Sequence, residues 1–97
     1  MNTISELVDG AKKVELIAKV IDIGETREVQ SRYTNEKFNV ANATIEDETG
    51  TIVLVLWDDE IMEVTIGDTV VIVNGYVKSF RDVLQLNVGK YGTLTVQ

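Results

Sequence analysis

The chain contains no Cys, no His and no Pro. Without Cys or His there is no disulfide, no thiolate chemistry and none of the usual zinc ligands. No proline interrupts a candidate strand. Aromatic residues are scarce, with two Phe, three Tyr and one Trp in 97 residues. No apolar run approaches membrane-spanning length, and Met1 to Leu7 lacks the basic start and apolar stretch of a secretory signal. A cytoplasmic location with no membrane contact is expected.

Cations are also in short supply. The formal net charge is −7, which argues against a generic DNA coat. From Ala41 to Val70 there is no Lys or Arg, while Glu46, Asp47, Glu48, Asp58, Asp59, Glu60, Glu63 and Asp68 fall there. Cations gather at Lys12 and Lys13, at Arg27, Arg32 and Lys37, and at Lys78, Arg81 and Lys90. This distribution permits a local basic groove on an acidic body. It also permits a merely solvated surface of both signs.

What is present suits one domain over residues 1–97, since 44% hydrophobic residues can form a core without a metal or disulfide. Thr3 to Leu7 reads as a short helical turn, with Glu6 at the reciprocal capping position. Asp9-Gly10 turns the chain. Val14, Leu16, Ala18 and Val20 alternate as a strand that ends at Gly24. Glu25 to Glu36 is polar, a long connection or the frayed tips of a hairpin. Lys37 to Ile45 resumes as a strand whose register stays open, because small and polar residues occur at both parities. Asp47-Glu48-Thr49-Gly50 is a turn with Gly50 at a left-handed position.

Thr51 to Trp57 is the cleanest alternation, with Ile52, Leu54 and Leu56 on one face and Val53, Val55 and Trp57 on the other. Asp58 to Ile66 reads as a short helix, acidic at its start, with Ile61, Met62, Val64 and Ile66 as anchors. Thr69 to Tyr76 is a strand, Lys78 to Asp82 a tight reversal, and Val83 to Val88 a strand. Thr93 to Val96 is a short edge strand. Five strands with a helix between the third and fourth predict an all-β, five-stranded Greek-key OB-fold barrel. A parallel sheet is not expected, since crossover helices are missing.

Parity puts Trp57 outside the barrel, where a large ring needs cover from a loop or a ligand. Tyr76 and Phe80 are placed at either side of the turn between the last two barrel strands. Each ring alone could close a barrel end. Together with Trp57 they form a candidate stacking set, because every nucleobase offers a π-face. Tyr33, with Arg27 and Arg32, lies in the connection after the first strand, the other loop that frames an OB groove. Lys37, Lys78 and Arg81 are candidate phosphate contacts, and an Arg can also stack on a ring. Gln85 and Asn87 face opposite to Leu84 and Leu86 and could bond base edges or sugars.

Catalytic machinery is sparse. Asp58, Asp59 and Glu60 are adjacent, whereas a two-metal site needs acids converging from different elements. No Gly-rich phosphate loop precedes a Lys. Neither an enzyme activity nor a cofactor is expected.

The chain resembles the simple single-stranded DNA-binding proteins of archaea and their eukaryotic relatives, and the DNA-binding domains of archaeal replication protein A. The resemblance rests on Ile4-Ser5-Glu6-Leu7, Asp47-Glu48-Thr49-Gly50-Thr51, Leu56-Trp57-Asp58, Gly67-Asp68, Asn74-Gly75-Tyr76, Phe80-Arg81 and Leu84-Gln85-Leu86-Asn87-Val88-Gly89, in collinear order. It implies an OB-fold that stacks the bases of single-stranded DNA in replication, recombination or repair, working at the nucleoid of a prokaryote. Family members carry aromatics at positions matching Trp57, Tyr76 and Phe80; some eukaryotic relatives have another where this chain has Asn87. DNA is the expected partner, RNA the second candidate, and replication or repair proteins or other OB modules further ones. The alternative reading is an OB module that binds proteins in such an assembly. Many archaeal forms continue into a Gly- and Arg-rich or acidic tail; a sequence stopping at Gln97 fits a short protein, an excised domain or one module of a longer chain. The stacking reading requires Trp57, Tyr76 and Phe80 to share one exposed groove that faces away from the acidic 41–70 surface.

Overall fold

The computed structural model describes residues 1–97. A 3-10 turn at Ile4–Glu6 precedes β1 (Val14–Ile23), β2 (Arg27–Gln30), β3 (Lys37–Asp47) and β4 (Gly50–Trp57). The helix α1 (Asp59–Glu63) then leads to β5 (Thr69–Phe80), β6 (Val83–Asn87) and β7 (Thr93–Val96). The pairing order β1-β3-β4-β6-β5 closes on itself because β1 also pairs with β5. This closed ring is the expected five-stranded OB barrel. All its pairings are antiparallel except β4 with β6.

β1 shows why the sequence closes this way. Its alternating Val14, Leu16, Ala18 and Val20 are buried while the intervening residues are exposed. They join Ala43, Ile45, Leu54, Leu56, Val70, Ile72 and Leu86 in one core of 17 buried residues. The register of β3, open in the sequence, is fixed by this core: Ala41, Ala43 and Ile45 face in, opposite Leu56, Leu54 and Ile52. Small alanines are the inward residues where β3 passes the bulky leucines of β4.

Of the two readings of the polar connection the hairpin is the one observed: β2 pairs with the start of β3, although with one apolar residue, Val29, it offered no periodicity to read. Two sequence expectations change. Gly50 has φ 155°, a positive value that glycine accommodates, but not a left-handed helical one. Of the four proposed helix anchors only Val64 is buried and Ile61 partly so, while Met62 and Ile66 are exposed, because α1 has only five residues to turn toward the barrel. The edge strand at Thr93–Val96 is present and pairs with β5.

The N-terminal 3-10 turn is fastened to the β3–β4 turn. The Asp47 carboxylate accepts from the Ile4 and Thr49 N–H groups at 2.8 and 2.7 Å and from the Thr49 hydroxyl. Desolvation would raise the Asp47 pKa, but the Thr49 hydroxyl and the N–H groups of Ile4, Thr49 and Gly50 together hold it below its ordinary value. The stability this carboxylate contributes is therefore present above its ordinary pKa and lost as pH falls through the lowered one. The Glu6 carboxylate accepts the Thr3 N–H at 2.7 Å, as the capping position predicts. Ile4 and Leu7 are thereby held in the core. No helix is long and apolar enough to cross a membrane.

Candidate nucleic-acid interface

The outer face is set by strand register. On β4, Val53, Val55 and Trp57 point away from the core, as parity predicts. β3 presents Phe38, Val40, Asn42 and Thr44 on the same side, and β6 presents Gln85 and Asn87. Val40 and Val55 are buried although outside the core cluster, so this face has an apolar floor. Trp57 is 40% exposed, and Phe38 meets it edge-on with ring centroids 6.0 Å apart. Phe38, which sequence reasoning missed, therefore joins the candidate site. Its signal was the alanine pair at 41 and 43, which assigns the even positions of β3 to the outside.

β5 reaches this face through an irregularity. Val70 and Ile72 face the core, and plain alternation would send Tyr76 inward too. The pairing with β1 shifts register between Val14 and Leu16, where Asn74 takes φ 59°. This extra residue flips the parity. Gly75 and Val77 then face in, while Tyr76, Lys78 and Phe80 face out. The Asn74 amide also donates to the Tyr91 carbonyl at 3.3 Å. Gly75 fits because a Cβ there would stand 3.1 Å from the Asn87 carbonyl oxygen and 3.2 Å from Leu86 Cδ1.

The reversal after β5 is shorter than expected. It consists of Arg81 and Asp82, with φ 52° and 65°, the twist a two-residue hairpin needs. Tyr76 accordingly does not flank the turn. It pairs with Asn87 in mid-strand, and Phe80, opposite Val83, lies at the turn. At ~3.4 Å per residue the two positions are ~14 Å apart along β5. The Arg81 guanidinium lies 5.2 Å from the Phe80 ring centroid, so Arg81 stacks on a ring here.

Trp57 and Tyr76 line one small cleft of about 260 Å³ with Glu60 and Gly89. Gly89 has φ 54°, and a Cβ there would come within 2.9 Å of Tyr76 Cε1, so glycine lets the ring settle against the chain. The Glu60 carboxylate accepts the Trp57 N–H at 2.9 Å. Burial pushes its pKa up, the Trp57 N–H pulls against this, and Glu63 and Asp58 add repulsion, leaving it raised. The groove thus does not face away from the acidic 41–70 surface. The helix that follows Trp57 turns one of its carboxylates back beside the ring, which residue spacing alone did not reveal.

The remaining candidates divide. Arg27 is opposite Val40 on β2, and Val40 is opposite Trp57, which places the Arg27 and Trp57 backbones about 10 Å apart at ordinary strand spacing. Lys78 is opposite Gln85 on the outer face. Asn87 is buried, with its amide 3.4 Å from the Gln85 carbonyl oxygen, so little of it is open to a ligand. Arg32 and Tyr33 stand exposed at the β2–β3 tip, Tyr33 at 95%, with no ring stacked on it. Lys37 is not brought to the site. It lies on the reverse face of the β2–β3 ribbon, alternating with Phe38, and pairs with Glu28 at 3.7 Å. Asp58, Asp59 and Glu60 do not converge: Asp58 accepts the Asn39 N–H at 2.9 Å while Glu60 turns to Trp57.

Comparison with known proteins agrees with this architecture. Residues 7–96 match a family described as single-stranded DNA binding protein Ssb-like, OB fold. The single-stranded DNA binding protein Ssb of Saccharolobus solfataricus is 28% identical over 86 residues, covering 89% of this chain and 57% of the relative. The chain thus spans little more than half the length of that curated relative. Among solved structures, the second OB-fold domain of replication protein A from Methanococcus maripaludis superposes with a TM-score of 0.77 at 26% identity, covering 98% of this chain and 92% of that one. The replication factor A related protein from Methanobacterium thermoautotrophicum gives 0.79 at 26% identity, covering 100% and 90%.

Proposed function

The chain belongs to the Ssb-like OB-fold family of single-stranded DNA-binding proteins, and on that footing we propose that it binds single-stranded DNA by stacking bases on Trp57, Tyr76 and Phe80. The observation that supports this most is the cleft shared by Trp57 and Tyr76, which opens onto the face that also carries Lys78 and Phe80. Bases stack there regardless of identity, with roughly 1–3 kcal/mol from each platform. Arg27, Lys78 and Arg81 neutralise phosphates around the rings, and Arg32 and Tyr33 reach the strand from the β2–β3 tip. Gln85 bonds base edges or sugars. Residues 1–97 act as one binding module that covers single strands exposed in replication, recombination or repair, at the nucleoid of a prokaryotic cell. The role is binding, not catalysis.

Trp57 is the only tryptophan, so its fluorescence reports on the site directly. Titration with oligo-dT at low salt is expected to change that fluorescence. No change, together with no binding in an anisotropy assay, would overturn the proposal. Replacing Trp57 and Phe80 together with Ala is expected to weaken oligo-dT binding at least ten-fold, since two platforms contribute about 2–6 kcal/mol. Unchanged affinity would instead favour a protein-binding role for these rings.

A further inference from the structure

Tyr76 and Gly89 line two clefts. Besides the cleft shared with Trp57 and Glu60, a larger one of about 470 Å³ crosses β5 from the Asp9–Lys13 segment to the Gly89–Gly92 loop. The Asp9–Lys13 segment is held against β5 by two backbone hydrogen bonds: Gly10 donates to the Val77 carbonyl at 3.0 Å, and Val77 donates to the Ala11 carbonyl at 2.8 Å.

This cleft concentrates positive charge in an acidic protein. Lys12, Lys13, Lys78 and Lys90 line it, four of the chain's nine Lys and Arg. None of the four lies within 4.0 Å of a carboxylate, because the chain's one ion pair joins Lys37 and Glu28. The single acid in the lining, Asp9, already accepts the Ser79 N–H at 2.8 Å. Ala11, Asn74, Val77 and four glycines complete the lining, with Gly75, Gly89 and Gly92 packed against the protein's own chain. Tyr91 stands at its rim, 80% exposed, with the Lys90 ammonium 5.7 Å from its ring centroid.

We propose that this lysine-lined cleft is a second binding segment, which takes the sugar–phosphate backbone of single-stranded DNA continuing beyond Tyr76. The inference rests on the stacking role proposed for the Trp57 and Tyr76 face and extends it to residues outside that face. Two things select this occupant. Unpaired ammonium groups complement consecutive phosphates, and Tyr76 joins the cleft to the stacking site without a gap. A strand crossing Tyr76 leaves the Trp57–Glu60 side, where a carboxylate suits a base better than a phosphate, and enters a side rich in lysine.

The test replaces Lys12, Lys13 and Lys90 together with Ala, leaving Lys78 and the three rings intact. Affinity is read from Trp57 quenching with oligo-dT of about five and about ten nucleotides, within the range of one OB module. For the longer oligonucleotide the variant is expected to lose about ten-fold in affinity at low salt. Its log–log salt slope is expected to fall by about 2, as three lost single-strand phosphate contacts predict. For the shorter, which the stacking face can hold alone, the loss is expected to stay within about two-fold. Unchanged affinity for the longer oligonucleotide, or an equal loss at both lengths, overturns the second segment while leaving the stacking role standing. Failure of the unsubstituted protein to bind either length overturns both.

Discussion

At the scale of single residues, the site's most consequential group is Glu60. A carboxylate beside the two rings proposed to stack bases opposes phosphate, yet its acceptance of the Trp57 backbone N–H helps fix the strand end that carries the indole. Its raised pKa means that it takes up a proton before an ordinary glutamate as pH falls. Protonation favours the folded state below the ordinary value, and that contribution is lost as pH rises through the raised one. The same titration removes a charge from the groove. Oligo-dT affinity is therefore expected to rise as pH is lowered from neutrality toward the ordinary glutamate value. Glu60→Gln keeps an acceptor for Trp57 and is expected to bind about three-fold tighter at pH 7, since a unit charge ~6 Å away in water is worth ~0.7 kcal/mol. Its affinity should vary less with pH than that of the unsubstituted protein. A variant that binds no tighter and keeps the full pH dependence would place the effect elsewhere.

At the scale of elements, the bulge in β5 matters most. Asn74 at φ 59° turns Tyr76, Lys78 and Phe80 outward; without it the same residues would be directed at the core. Asn tolerates this backbone region and β-branched residues do not. Asn74→Val is expected to cost about 1–2 kcal/mol in urea-induced unfolding from backbone strain alone. Asn74→Gly is expected to stay close to the unsubstituted protein in both stability and oligo-dT affinity. Equal destabilisation by both would show that the Asn74 amide bond to Tyr91, not the backbone angle, is what matters.

This element also marks the limit of legibility in the sequence. β1 is readable because apolar residues recur at every second position from Val14 to Val20, and β4, apolar throughout from Ile52 to Trp57, because Ile52, Leu54 and Leu56 share one parity. The outward position of Trp57 followed directly. Tyr76 stands out as a candidate from its neighbours Lys78 and Phe80, but its direction depends on one inserted residue that periodicity cannot detect. Phe38 was missed for the related reason that small and polar residues occur at both parities of β3. Lys37 was expected near phosphates and lies on the reverse face, since a one-residue offset from Phe38 changes the side of the ribbon.

At the scale of the whole molecule, net charge and local charge oppose each other. The body carries −7, while Lys12, Lys13, Lys78 and Lys90 meet in one cleft and Arg27 and Arg81 flank the rings. For the proposed DNA-binding role this means that long-range repulsion weakens encounter and that affinity depends on short-range phosphate contacts. With about four to six such contacts the log–log salt slope for oligo-dT is expected near −3 to −4. A slope near zero would mean that stacking acts without phosphate neutralisation.

The barrel, much of its core and the outward Trp57 are legible in the residues alone, because alternation and turn residues are local signals that a closed sheet must obey. The composition likewise leaves no cysteine or histidine chemistry available. The folded chain was needed to show which cations stand together, that Glu60 returns beside Trp57, and that Tyr76 separates an acidic cleft from a basic one. Those relations join residues far apart in the chain, and they arise from strand register, one bulge and the closing of the β1–β5 seam.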